Sequence, residues 1–326
     1  MKRIAAVVIA LGMVVALTPP ATADDDWPKR GPVKMIIPFP PGGATDILGR
    51  VAADKLSIAF GQQFVVENKG GAGGNIGAEL AAHAAPDGYT IMMGTIGTLG
   101  INRALYKNLN YDHLKDFAPI SLVAEVANIF AVNPDVPAKS VNELIAYAKV
   151  NPGKLNYGSP GNGTSGHLSM ELFKTLTGTQ ILHVPYRGSA PLLTDLLSGQ
   201  VQVVIDNIPA YLPHVKAGKL RALAVMTDKR WPAVPDLPTA AEASGISQLV
   251  ATAWFGIVAP AKTPETIIDR MAAALREQMK APDVKAKLSE QGAEIVGSTP
   301  AEFAAYIARE TEKWAKVVEA CGAKVD

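Results

Sequence analysis

Short, mostly apolar runs alternate along the chain with longer stretches whose apolar residues recur every three or four positions. Val33–Ile37, Phe64–Glu67, Thr90–Gly94, Ile129–Val132, Leu155–Gly158, Val201–Ile205 and Leu220–Met226 have the length and character of buried strands. Helical periodicity fills the segments between them. This alternation predicts an α/β fold of parallel sheets joined by crossover helices. Toward the C-terminus the pattern turns helical. Ile267, Ile268, Met271 and Leu275 form one stripe, and Phe303, Ile307, Trp314 and Val318 another. Thr263-Pro264-Glu265 and Thr299-Pro300-Ala301-Glu302 read as helix starts, with a hydroxyl N-cap, proline at the first position and an acid in the first turn.

Two segments, Ser121–Pro134 and Leu249–Pro260, are long and apolar, and no low-complexity linker occurs anywhere. They suit strands that carry the chain between two lobes, the middle third being inserted into the rest. Ordinary core strands would read the same way. A mature chain of about 300 residues exceeds what one core usually supports, which favours two lobes.

The first residues set the compartment. Lys2 and Arg3 precede the uncharged stretch Ile4–Leu17, and Ala21-Thr22-Ala23 is a small-x-small cleavage site before Asp24-Asp25-Asp26. This is the pattern of a secretory signal peptide over residues 1–23, with an apolar segment shorter than the roughly 20 residues of a membrane span. Its removal takes away two cations and no acid, so the formal charge moves from +1 to −1. No basic excess indicates a nucleic-acid partner. Cys321 is the single cysteine, so no intramolecular disulfide can form, and it reads as a packed small residue near the end of the last helix.

Candidate chemistry sits at two strand-to-helix turns. In "PFPPGGATDILGRV", Pro38 and Pro41 stop a strand, Gly42 and Gly43 allow close backbone approach, and a helix follows with Asp46 in its first turn. The free N–H groups of such a first turn suit an anion, although a tight turn with Asp46 as a capping acid fits equally. "LNYGSPGNGTSGHLSMELF" repeats the arrangement and adds Ser159, Asn162, Thr164, Ser165 and His167. Gly161–Gly166 formally match G-x-G-x-x-G, but no acid stands near Arg187, where a ribose partner would be expected. Ser165 and Ser159 invite a secreted serine hydrolase reading. The flanking residues are not a G-x-S-x-G elbow, and His167 follows Ser165 too closely to converge as its base. No histidines pair at metal-ligand spacing, so neither a cofactor nor a metal is expected.

Six ordered motifs, "IIPFPPGGATD", "VENKGGAGGNIGAELAAHAAPDGYT", "GSPGNGTSGHLSMELF", "VPYRGSAPLLTDLLSGQVQVVIDN", "HVKAGKLRALAV" and "WFGIVAPAKTP", make the chain from about Trp27 onward resemble the extracytoplasmic solute-binding receptors of the tripartite tricarboxylate transporter family, often called Bug receptors. The resemblance implies a two-lobed, type II periplasmic-binding-protein-like fold with two crossing strands. Lobe 1 would comprise residues 24–125 plus 253–326, and lobe 2 residues 126–252. It also implies a monomeric periplasmic protein, without enzymatic activity, that closes on a small carboxylate and delivers it to a membrane permease. A receptor signalling to a sensor kinase would look the same. Carried over by motif, the ligand site would draw on Phe39, Pro40, Gly43, Ala44, Thr45 and Asp46 in one loop, and on Thr95 after the third strand. The other lobe would supply Ser159, Gly163, Thr164, Ser165 and His167, with Tyr186, Arg187, Asp206 and Asn207. Arg187 could pair bidentately with a carboxylate or bridge to Asp206.

The exported protein is expected to begin at Asp24. Intact-mass measurement of the secreted form checks this, and a mature N-terminus still carrying Met1 would refute it.

Overall fold

A computed structural model describes residues 26–325. The expected signal peptide lies outside the described residues. The first strand, β1 (Val33–Ile37), ends where Pro38 begins, and α1 (Ala44–Phe60) starts after the glycine turn. Then follow β2 (Phe64–Asn68), α2 (Asn75–Ala82), β3 (Thr90–Thr95), a π-helical segment at Gly97–Ile101, α3 (Asn102–Leu105) and β4 (Phe117–Val126). The middle of the chain forms β5 (Asn128–Val132), α4 (Val141–Val150), β6 (Asn156–Ser159), α5 (Ser165–Thr177), β7 (Leu182–Pro185) and α6 (Ser189–Leu197). It continues with β8 (Val203–Asn207), α7 (Ile208–Lys216), β9 (Arg221–Val225) and α8 (Ala240–Ser244). The last part contains β10 (Ala253–Pro260), α9 (Glu265–Gln278), α10 (Pro282–Glu290), β11 (Ala293–Ile295) and α11 (Pro300–Cys321).

These strands build two sheets, one in the order β11-β4-β10-β3-β1-β2 and the other β7-β6-β8-β5-β9. The two orders correspond. Each holds a parallel trio, β2-β1-β3 or β7-β6-β8, flanked by one antiparallel strand, β10 or β5. That flanking strand is in each case the one that arrives from the other sheet. The wholly parallel sheets expected from the sequence are therefore mixed sheets. The trio strands run toward the gap between the sheets, and the invading strand starts from it, so its direction is reversed.

The chain leaves the first sheet through a single residue, Ala127, between β4 and β5. It returns near Ala251, whose N–H donates to Met226 O at 2.7 Å, while Met226 N–H donates to Asn128 O at 2.8 Å. The two long apolar segments of the sequence thus form the crossings. Met226, just beyond β9, thus satisfies backbone groups of both crossings.

The helical stripes pack as their spacing requires. Ile267, Ile268, Met271 and Leu275 of α9 are buried, as are Phe303, Ile307, Trp314 and Val318 of α11. Thr299 caps α11 reciprocally with Glu302. Thr263 does not cap α9: its hydroxyl donates to Pro260 O at 2.8 Å and the helix starts at Glu265. The pattern did not announce β7 and β11. Both are short edge strands and only partly buried. Cys321 ends α11, half-buried and free.

Candidate functional site

Helices α1 and α5 begin at opposite walls of one cleft between the sheets. Gly43 precedes α1 in an extended conformation and offers no side-chain cap. The backbone bonds of the turn are Asp46 and Ile47 N–H to Gly43 O, both 3.1 Å, which leaves the N–H groups of Gly43, Ala44 and Thr45 without a protein acceptor. The turn is held from behind. Asp46 Oδ2 accepts from Gly42 N–H at 3.1 Å, and Oδ1 accepts from Arg50 Nε at 3.0 Å and Asn68 Nδ2 at 2.9 Å. Asn68 Nδ2 also reaches Phe39 O at 2.9 Å. Burial would raise the Asp46 carboxyl, but Arg50, Asn68 and the Gly42 amide hold it below the usual carboxylate range. Gly42, at φ +93°, supplies a left-handed turn that other residues rarely take.

Across the cleft, Thr164 caps α5. Its hydroxyl donates to Gly161 O at 2.8 Å and accepts from His167 N–H at 3.4 Å. The N–H groups of Ser165 and Gly166 have no protein acceptor. The Ser165 hydroxyl donates to Asn128 Oδ1 at 3.2 Å, and Asn207 Nδ2 donates to the same oxygen at 2.6 Å. Asn128 Nδ2 in turn donates to Ala251 O at 2.6 Å. Asn128 is fully buried and stands one residue beyond the outward crossing. It therefore ties both crossing segments to two cavity-lining side chains.

The cavity between these walls is lined by Phe39, Pro40, Gly43, Ala44, Thr45, Thr95, Ile96 and Gly97 on one side. Pro160, Thr164, Ser165, Ser189, Asp206 and Asn207 line the other, with Ala253 and Phe255 from β10. The space between atoms there amounts to about 470 Å³, part of it open to solvent. The walls touch: Tyr106 Oη donates to Asn162 O at 3.1 Å, and a Cβ on Gly97 would stand 2.8 Å from Gly163 O. This is a closed cleft. Its wall offers backbone N–H groups, hydroxyls, an amide and one carboxyl, with no cationic side chain. Such a donor set holds an anion at helix N-termini.

Residues 48–323 match the family described as "Tripartite tricarboxylate transporter family receptor". The chain belongs to this receptor family. Rpa4515 of Rhodopseudomonas palustris, solved with adipate, is 42% identical with a TM-score of 0.89, over 92% of this chain and 100% of that one. BugD, described as a periplasmic binding protein, is 34% identical with a TM-score of 0.86, over 90% of this chain and 98% of that one. MatC of Rhodopseudomonas palustris, solved with bound malate, is 34% identical with a TM-score of 0.84, over 88% of this chain and 98% of that one. The family and these neighbours are solute-binding receptors rather than enzymes.

In this receptor, ten of the site residues expected from sequence line one cavity: Phe39, Pro40, Gly43, Ala44, Thr45, Thr95, Thr164, Ser165, Asp206 and Asn207. Six do not. Asp46 is spent behind its loop, as above. Gly163 lies at the contact between the walls, its N–H donating to His167 Nδ1 at 3.2 Å. His167 opens onto a second cavity with Glu171, His183 and the segment after α11. Tyr186 turns its hydroxyl to Asp195 at 2.7 Å, and burial with Asp195 pushes it up to about 12. Arg187 is exposed. It does not bridge to Asp206, whose partners are Ser189, Tyr211 and the Asn207 amide. A long cation in that turn reaches water more cheaply than a closed cleft. Ser159 bonds to His183 Nε2 at 2.7 Å, a pairing that resembles nucleophile and base. Ser159 is fully buried, however, and burial with nearby His167 pushes His183 down to about 3. An imidazole so held does not take a proton near neutral pH.

Sequence reasoning missed Ser189, Phe255 and Asn128. An amide heading the apolar run "NIFAV" was a usable signal, because a polar group in a buried strand must be hydrogen-bonded.

Thr164→Ala should lower the unfolding free energy by about 1 kcal/mol, the usual worth of an N-cap. Asn128→Ala leaves three hydrogen-bonding partners, Ala251 O, Ser165 Oγ and Asn207 Nδ2, unpaired, each worth about 1 kcal/mol or more, and should cost roughly 3 kcal/mol. Urea unfolding of both variants compares them. Equal, small losses would contradict the role given to Asn128.

Proposed function

We propose that this receptor captures a small carboxylate in the periplasm and delivers it to the membrane permease of a tripartite tricarboxylate transporter. The observation that carries the reading is the pair of opposed helix N-termini, α1 and α5, whose first N–H groups line one closed cavity without a protein acceptor. Ligands of this kind are named for relatives: adipate with Rpa4515 and malate with MatC. Both are small dicarboxylates. A slender cavity with Phe39, Ile96 and Phe255 beside its polar walls suits a short chain ending in a carboxylate. Hydrogen bonds from uncharged groups to a charged oxygen contribute about 1.5–3 kcal/mol each, enough for selective binding without a salt bridge.

In this reading the lobes are residues 24–125 plus 253–326, and residues 126–252, after cleavage of the signal peptide behind Ala23. The crossings at Ala127 and Ala251 act as the hinge. The receptor works as a monomer, and no metal takes part. Among the described residues, no group of three metal-ligating side chains comes together. The serine hydrolase reading has no support in the cleft, where Ser165 donates to an amide oxygen rather than to a base.

Short mono- and dicarboxylates, adipate and malate first, should raise the melting temperature without being consumed. At a hundredfold excess over Kd the stabilisation is about 2.7 kcal/mol, and exhaustive chelation should leave it unchanged. Turnover of the ligand, a strict divalent-ion requirement, or no stabilisation by any carboxylate would overturn the proposal.

A further inference from the structure

The cavity's lining contains one ionisable side chain, and it is an acid, Asp206. In a cleft that receives anions this is the wrong charge, and no cation offsets it. Asp206 Oδ2 accepts the Ser189 hydroxyl at 2.7 Å and the Tyr211 hydroxyl at 2.9 Å, while Oδ1 accepts the Asn207 N–H at 2.8 Å. Every element around it is neutral where it faces the carboxyl. Strand β5 places Ile129 opposite it. Helix α5 contributes its first residues, while its ionisable His167 and Glu171 open onto the other cavity and Lys174 pairs with Glu171. Tyr157 of β6 bonds to that same Glu171. On α6, Asp195 is taken by Tyr186. On α7, Tyr211 is the contact, and His214 and Lys216 lie in the last turn. Across the cleft, Asp46 of α1 is paired with Arg50.

We propose, building on the carboxylate reading of the cleft, that Asp206 takes up one proton from solvent when a carboxylate enters, so that the receptor captures an anion together with a proton. Two carboxylates sharing a closed site cannot both stay ionised, and the weaker acid takes the proton. Asp206 is prepared for this, since burial already pushes it up to about 6 against its three hydrogen bonds. Oδ1 accepts a single bond and has room for the proton. The O–H formed there can donate to an oxygen of the bound anion, turning a repulsion into a hydrogen bond.

The sign of the pH dependence follows. The loaded form holds one proton more than the empty form. Affinity is therefore level below the empty-state value of about 6. Above it, affinity falls as pH rises, toward about tenfold per pH unit while a full proton is taken up. Tyr211→Phe removes a donor to the ionised form, which raises the carboxyl further and moves the onset of this fall to higher pH.

Titration calorimetry with adipate and with malate, at pH 6, 7 and 8 in two buffers of different ionisation enthalpy, reads both affinity and protons. The wild type should take up close to one proton at pH 8 and bind progressively more weakly from pH 6 to 8. Asp206→Asn, whose fold is checked by its melting curve, should take up none, show a flat profile and bind more tightly than the wild type at pH 8. Tyr211→Phe should keep the uptake with a displaced profile, which also serves if Asp206→Asn does not fold. Binding without proton uptake, or uptake that survives in Asp206→Asn, would overturn the role of Asp206 and leave the receptor reading standing. Absence of binding at every pH would overturn both.

Discussion

Helices α1 and α5 start at the same narrow cavity with amide groups that no protein atom accepts, and much of the molecule exists to keep them there. A buried N–H without an acceptor costs roughly 1–3 kcal/mol. Here several such groups, in two helices of different sheets, face one cleft. An anion entering between them would be met by donors on both sides, with no lysine, arginine or histidine in the wall. The surroundings follow from this constraint. Asp46, Asn68 and Arg50 fix the first turn from behind, so its amides stay aimed at the cleft. The Thr164 cap takes the His167 N–H and leaves those of Ser165 and Gly166 free.

The sheets place the two turns opposite each other through their shared topology. Each parallel trio ends at the cleft, and each receives one strand from its neighbour, running the other way. The crossings are short and lie side by side, which leaves few dihedral angles at which the two sheets could move relative to each other. Asn128 occupies this junction and reaches Ala251, Ser165 and Asn207 together. One buried amide thus connects the crossing backbone to the cavity wall. The Tyr106 to Asn162 bond is one contact through which the walls hold together.

Much of this was legible in the sequence, for physical reasons that also mark where legibility ends. Val33–Ile37 could be read residue for residue because prolines and glycines end its apolar run so abruptly. The glycine turns exposed both helix starts. Strand direction was hidden, since a strand buried on both faces has the same composition whether it runs parallel or antiparallel. That direction comes from the crossings at Ala127 and Ala251, a long-range fact. Among site residues, Ser165 and His167 were paired by proximity in the chain. Two positions apart on a helix they point about 200° from one another, so the serine lines the cleft and the histidine faces the other cavity. Arg187 drew attention by its charge, yet the small Ser189 two residues later is the one turned inward. The resemblance to the receptor family named loops that meet at this cavity, and only the structure separated the members of each loop that face the cavity from those that brace it.

The central claim is that backbone N–H groups at two helix starts hold the ligand. Nitrogen–proton NMR of the uniformly labelled protein tests it, with adipate added stepwise and the amides of Ala44, Thr45, Ser165 and Gly166 followed. New hydrogen bonds to a carboxylate should move these amide protons downfield together, with one shared saturation point. If adipate binds while these four stay unmoved and the large shifts fall elsewhere, the account of the cleft is contradicted.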